Sequence, residues 1–242
     1  MQPRIGTSGW SYAHWHGVLY PPETKSHERL SRYVGSFDTV ELNASFYRWP
    51  RPSAFASWRT RLPAGFELAV KAPRGLTHAR RLLQPEAWLD RMAAGLHELA
   101  GRRGPLLVQL PPTMQRDDDR LTWFLARVPA WMRPVLEFRH PSWIDDEVFA
   151  ILERHHSAYC VMSGARLPCV LRATAQVVYV RLHGPDPDAL YAGSYSAEDM
   201  AWWADRIREW QQQGKDVYAY FNNDGGGNAV RDAWALREAL GG

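Results

Sequence analysis

The sequence predicts an α/β protein, a single (β/α)8 TIM-barrel-like domain over residues 1–242. Three observations predict it. Eight short runs rich in β-branched and aliphatic residues recur about every 30 residues, the length of one βα unit. Segments with helical spacing lie between most of them, and strands alternating with helices make a parallel sheet. Several runs are almost continuously apolar, as in Leu106-Leu107-Val108-Gln109-Leu110 and Val177-Val178-Tyr179-Val180. A sheet covered on both faces requires that pattern.

The runs lie at residues 4–8, 39–43, 67–72, 104–110, 134–139, 158–163, 176–183 and 216–222. After the third, Pro85-Glu86-Ala87-Trp88-Leu89 opens a helix whose apolar face is read as Trp88, Met92, Leu96 and Leu99. After the fifth, Ser142 is placed to cap a helix, with Asp145 following and Trp143, Val148, Ile151 and Leu152 facing inward. After the seventh, Ser196 caps a helix beginning Ser-Ala-Glu-Asp, with Trp202, Trp203, Ile207 and Trp210 inside. The last helix runs from about Ala229 to Leu240. The pattern is weakest between the sixth and seventh runs, where Cys169 to Thr174 reads either as an extra strand or as a helix. A doubly wound sheet would leave two of these units over, whereas eight units in 242 residues match the ~250 of a barrel.

Composition excludes several classes. With 45% hydrophobic and 23% charged residues the chain has the balance of a globular protein, not a disordered one. No run approaches the ~18 uninterrupted apolar residues of a membrane span. The opening Met1-Gln2-Pro3-Arg4-Ile5 runs directly into the first strand without a signal peptide, so a cytoplasmic location is expected. Cys160 and Cys169 are the only cysteines and form no C-x-x-C pair, which argues against a thiolate zinc site or a disulfide scaffold. The net charge of +3 is too mild to demand nucleic acid as a partner.

The polar residues collect at the C-terminal ends of the strands, where this fold carries its active sites. These ends read Thr7-Ser8-Gly9-Trp10, Glu41-Leu42-Asn43, Lys71, Gln109, Glu137-Phe138-Arg139-His140, Arg181-Leu182-His183-Gly184 and Asn222-Asn223-Asp224. Residues two apart share a face, so Glu41 goes with Asn43, Glu137 with Arg139, and Arg181 with His183. Leu42, Phe138 and Leu182 between them turn toward the helices. Taken singly, Glu137–Arg139 or Glu41–Lys71 reads equally well as a structural ion pair. Taken as a set from so many strands, they read as a ligand site. His14, His16, His27, His97 and His155 are scattered and read as surface or loop residues. Most tryptophans sit at helical spacing and read as packing, but Trp10, Trp15 and Trp143 directly follow strands and would wall the pocket.

Lys71, Arg139 and Arg181 beside Glu41 and Glu137 suit a small polar anion: a phosphate ester, a carboxylate or a modified sugar. Asp224-Gly225-Gly226-Gly227, opening the last helix, is a weak phosphate-site candidate by analogy of fold. The sequence holds no G-x-S-x-G, H-E-x-x-H or G-x-x-x-x-G-K-[ST] motif. The expected chemistry is metal-independent and acid–base, with no cofactor, and an enzyme is favoured over a binder. Glu41, Lys71, Glu137 and His183 are the catalytic candidates. Ser8, Trp10, Trp15, Asn43, Tyr47, Gln109, Arg139, His140, Trp143, Arg181, Asn222, Asn223 and Asp224 are the ligand-binding candidates. One rival is a metal-dependent hydrolase or isomerase using Glu41, Glu137, His183 and Asp224. Another is a nucleic-acid binder, with Trp10, Trp15 and Tyr47 stacking on bases and Arg80, Arg81, Arg102 and Arg103 on phosphates.

Several motifs together carry a resemblance. They are Gly6-Thr7-Ser8-Gly9-Trp10-Ser11-Tyr12, Val40-Glu41-Leu42-Asn43-Ala44-Ser45-Phe46-Tyr47, Val70-Lys71-Ala72-Pro73 with Thr77-His78, and Gln109-Leu110-Pro111-Pro112. Glu137-Phe138-Arg139-His140-Pro141-Ser142-Trp143, Tyr179-Val180-Arg181-Leu182-His183-Gly184 and Tyr220-Phe221-Asn222-Asn223-Asp224 continue it. In this order, over nearly the whole chain, they resemble the YecE-like proteins, domain of unknown function family 72. The resemblance implies a TIM-barrel-like fold and assigns no activity. Ala44 and Ser45 depart from the family pattern. So does Asp224, which stands where a histidine often follows the paired asparagines.

Overall fold

The computed structural model describes residues 2–241 and turns each of the eight runs into a strand. In chain order the elements are β1 (Arg4–Thr7), α1 (Arg29–Tyr33), β2 (Thr39–Leu42), α2 (Ala44–Tyr47), α3 (Pro52–Arg61) and β3 (Glu67–Lys71). Next come α4 (Glu86–Glu98), β4 (Arg103–Gln109), α5 (Asp118–Leu125), β5 (Pro134–Glu137), α6 (Asp146–Arg154) and β6 (Ala158–Ser163). The chain ends with β7 (Val177–Leu182), α7 (Ala197–Gln212), β8 (Asp216–Phe221) and α8 (Asn228–Ala239). The strands follow one another in the order β1-β8-β7-β6-β5-β4-β3-β2. The two ends of that row meet where Ser8 bridges Glu41 in parallel, and the Gly9 N–H donates to the Glu41 carbonyl at 2.8 Å. The fold is a (β/α)8 TIM-barrel-like one. Gly6 makes the seam possible, because a Cβ there would stand 2.4 Å from the Thr39 carbonyl oxygen.

The chain's contacts gather into two compact units. The first runs through Glu41 and takes in Val161–Leu171 and the chain from Val178 onward. Its interior carries Tyr179, which lies 5.0 Å from Tyr220 and 6.5 Å from Tyr218 between ring centroids. The opposite parity faces the helices: the Thr7 N–H and hydroxyl both meet the Tyr33 hydroxyl, and Tyr33 leads through Phe37 to Trp234. The predicted cap of α7 is a full capping box, in which the Ser196 hydroxyl accepts from the Asp199 N–H and the Asp199 carboxylate accepts from the Ser196 N–H. Trp203, Ile207 and Trp210 of that helix are buried as expected, but Trp202 is not.

The second unit comprises Leu42–Cys160 and Arg172–Val177. Here α3 and α4 approach so closely that a Cβ on Gly95 would lie 2.6 Å from the Phe55 ring. The buried face of α4 is Leu89, Met92, Gly95 and Leu96, so Leu89 replaces Trp88 in the expected stripe. Trp88 lies over Gly75 instead, where its ring leaves no room for a Cβ. Ser142 does not cap α6. Pro141 holds residues 141–143 in a separate turn, and Asp145 caps the helix by accepting from the Glu147 N–H at 2.9 Å.

Between β6 and β7 the described chain forms neither helix nor strand. Arg166 adopts a left-handed φ of 56° and Pro168 lacks an N–H, so a helix cannot propagate through them. The Thr174 hydroxyl then ties the loop to the start of β6, accepting from the Tyr159 N–H at 2.8 Å and donating to the Ser157 carbonyl at 2.7 Å. No helix among the described residues is long and apolar enough to cross a membrane.

Candidate functional site

The strand ends hold two groups of polar side chains, one in each unit. In the first unit, Glu41, near the end of β2, is fully buried and takes four hydrogen bonds. Arg181 grips it with a fork, Nη2 to Oε1 at 2.8 Å and Nε to Oε2 at 3.0 Å. The Ser8 hydroxyl donates to Oε1 and the Tyr179 hydroxyl donates to Oε2 at 2.7 Å. Burial and the neighbouring Glu41 carboxylate push the Tyr179 phenol well up, which keeps it a donor. With Arg181 1% exposed, this network is sealed. A buried ion pair is tolerated only when its lone pairs and protons are satisfied, as they are here.

His183, next on the same face as Arg181, is buried as well. Its Nδ1 lies 3.2 Å from the Asn222 amide, and its ring meets Tyr191 edge-on at 5.3 Å. The paired asparagines, just past β8, part company because successive residues of extended chain face opposite ways. Asn223 donates to the Asp232 carboxylate at 2.6 Å and to the Gly193 carbonyl at 2.9 Å, joining loop to helix. Asp224 accepts from the Trp15 indole N–H at 2.6 Å and meets His14 Nε2 at 2.8 Å. Burial pushes the Asp224 carboxyl up, and the Trp15 and His14 bonds only partly offset it. Gly225–Gly227 form a tight turn ahead of α8, with φ of 64° at Gly226 and 79° at Gly227.

In the second unit, β3, β4 and β5 present Lys71, Gln109 and Glu137 at consecutive ends. Glu137 is fully buried, and its Oε1 accepts from Gln109 Nε2 at 2.6 Å and from Arg139 Nε. Lys71 Nζ sits 4.5 Å above the Phe46 ring, and that ring packs edge-on against His78 at 4.9 Å. The Ser45 hydroxyl holds the two segments together by donating to the Lys71 carbonyl at 2.7 Å. His78 stands in the turn Gly75–Ala79, 2.9 Å from the Thr77 hydroxyl. Its imidazole is held below the ordinary range by burial first, then by Lys71 and Arg74, against the opposing pull of Glu137. Half-buried His140 meets the Ser142 hydroxyl at 2.8 Å, and Tyr47 is 75% exposed.

The aromatic wall differs from expectation. Trp15 and Trp143 are wholly buried and their indole N–H groups are engaged, Trp15 by Asp224 and Trp143 by the Met114 carbonyl at 2.7 Å. Trp143 stacks on Phe138 at 4.8 Å, so it packs the outward face of β5. Trp10 and Asn43 remain half-buried. Sequence reasoning passed over His78 and Phe46 as site residues, although both stood inside the quoted motifs, and it read His14 as an ordinary loop residue. Among the described residues no three His, Cys, Asp or Glu side chains gather as an ion would require.

These strand ends find their counterpart in one protein family. The model of the protein of unknown function DUF72 matches residues 4–242. The chain belongs to the DUF72 family. Among curated relatives, this DUF72 protein is 28% identical to the UPF0759 protein YunF of Bacillus subtilis, over 98% of this chain and 94% of that one. It is 27% identical to the UPF0759 protein YecE of Escherichia coli K12, over 57% of this chain and 48% of that one. A crystal structure of a DUF72 protein from Thermotoga maritima superposes with a TM-score of 0.88 at 26% identity, covering 100% of both chains. A DUF72 protein from Enterococcus faecalis matches with a TM-score of 0.82 at 19% identity over 99% of this chain and 96% of that one, a likeness of fold.

Proposed function

We propose that this DUF72 protein binds a small anionic ligand at the ends of β3, β4 and β5 and moves a proton on it. The observation that carries the reading is the buried Glu137 carboxylate, bonded by Gln109 and Arg139 within electrostatic range of a neutral-leaning imidazole, His78. In that reading Lys71 and Arg139 supply positive charge for a phosphate, carboxylate or enolate-like oxygen. His78, lowered in basicity, is unprotonated near neutral pH and accepts the proton; Glu137 orients Arg139 and Gln109. Tyr47, exposed beside Phe46, provides a face for the ligand's body. The sealed Glu41–Arg181 pair acts as scaffold, since all its hydrogen-bonding capacity is turned inward.

The test is a thermal-shift and calorimetric screen of phosphate esters and small carboxylates against the wild type, Lys71→Met and His78→Gln. A true ligand at 100 times its Kd stabilises the wild type by about 2.7 kcal/mol. Lys71→Met abolishes that stabilisation, whereas His78→Gln keeps binding and loses turnover of the identified ligand. Equal binding by the wild type and Lys71→Met, or no hit in either class of anion, overturns the reading.

A further inference from the structure

The absence of a helix between β6 and β7 has left something behind. In a (β/α)8 fold each helix flanks its neighbours, so α7 lacks the partner that would normally cover its leading side. The loop from Gly164 covers part of it and leaves a cavity of about 440 Å³, within the range of small-molecule sites. Trp202 and Trp203 of α7 form one wall, and Leu167 and Pro187 add apolar surface. Trp203 is buried, but Trp202 is 43% exposed, which is unusual for so large an apolar ring. The two indoles meet edge to face at 4.9 Å and 89°. The Arg206 guanidinium lies 5.6 Å from the centre of the Trp202 ring.

The cavity is lined by one cation and one carboxylate. Arg166 lines it, is exposed, and takes part in no hydrogen bond or ion pair among the described residues. Its left-handed backbone, costly for a residue with a side chain, is kept although no internal partner rewards it. Asp199, the lining acid, already accepts from the Ser196 N–H and hydroxyl in the α7 cap. Arg166 is the lining group left available to a ligand, beside aromatic and aliphatic surface.

We infer that this cavity is a second ligand site, for a flat ring bearing one carboxylate. The ring would lie against Trp202 and Trp203 and the carboxylate would meet Arg166. All the residues named belong to the first unit, and none of them belongs to the β3–β5 site, so the two proposals stand or fall separately.

Cys169 provides the test. It is exposed and lines the cavity, while Cys160 is buried, so one thiol reports on the site. The probe is 5,5′-dithiobis(2-nitrobenzoate), itself an aromatic carboxylate, with uncharged iodoacetamide as the control. The thiolate attacks the disulfide and releases thionitrobenzoate, which is followed by absorbance. The expected result is a rate that saturates with reagent and falls about tenfold in Arg166→Gln and in Trp202→Ala. Salicylate should protect the wild type, while iodoacetamide should react equally with all three proteins, showing the cavity intact. A rate linear in reagent, equal in the three proteins and unaffected by salicylate, overturns the proposal.

Discussion

The buried Glu41–Arg181 pair is where a single substitution should cost the fold most. Arg181→Leu leaves a carboxylate at 0% exposure with only Ser8 and Tyr179 as donors. Glu41→Leu leaves a guanidinium at 1% exposure facing apolar carbon. Breaking one side of a buried pair costs about 3–5 kcal/mol, because the surviving charge keeps its desolvation penalty without its compensation. At about 2–4 °C per kcal/mol for a chain of this size, each single variant melts roughly 6–20 °C lower. The double variant removes both charges together. It still strands the Ser8 and Tyr179 hydroxyls, at about 1–3 kcal/mol each, yet it should fall short of the summed singles by at least about 2 kcal/mol. Urea unfolding followed by tryptophan fluorescence measures all four corners of the cycle. Additive single effects, or single variants that each cost under about 1 kcal/mol, would refute the picture of a sealed, mutually satisfied pair.

Three further outcomes follow from single contacts. Gly95→Ala drives a methyl group to within 2.6 Å of Phe55 and should cost about 1–3 kcal/mol in urea, whereas a neutral result means that α3 and α4 are not in close contact. Thr174→Val removes both hydrogen bonds that tie the loop to the start of β6, for a loss of about 2–3 kcal/mol; an unchanged Tm contradicts this. His78 is held below its ordinary 6.5, so the unfolded chain binds this proton more readily than the folded protein. Its contribution therefore falls as pH drops through 6.5 and levels off below the folded value. His78→Gln should gain on the wild type between pH 7 and pH 5 in a series of melts, and a constant difference across that range would show that His78 does not titrate as described.

The barrel was legible because its signals are repetitive. Eight apolar runs had to become strands, and alternation along β2, β5 and β7 set Glu41, Glu137 and Arg181 apart from Leu42, Phe138 and Leu182. The capping box at Ser196 was legible for the same reason, since both its partners lie within one turn. What stayed hidden depends on contacts distant in sequence. Thr174 reaches back to Ser157 and Tyr159, and Trp143 spends its N–H on Met114, neither of which spacing can announce. Ser142 resembled a cap because serine fits one, but Pro141 had already fixed a different turn, and Asp145 stood ready beyond it.

Residue type could not divide the site, because both groups contain a Glu, an Arg and a polar neighbour. Hydrogen-bond direction divides them. Arg181 addresses both oxygens of Glu41 through its fork, and Ser8 and Tyr179 complete the ring, so every donor points at the carboxylate. Arg139 donates to Glu137 through Nε, half-buried Gln109 donates to the same oxygen, and half-buried His78 lies within electrostatic reach. The most exposed aromatic of the chain, Tyr47, is two contacts away through Phe46. A charge pair closed on itself holds a seam, while one that runs outward through polarisable groups can respond to an arriving anion. That difference, and not the count of charged residues at the strand ends, favours the ends of β3 to β5 as the proposed site.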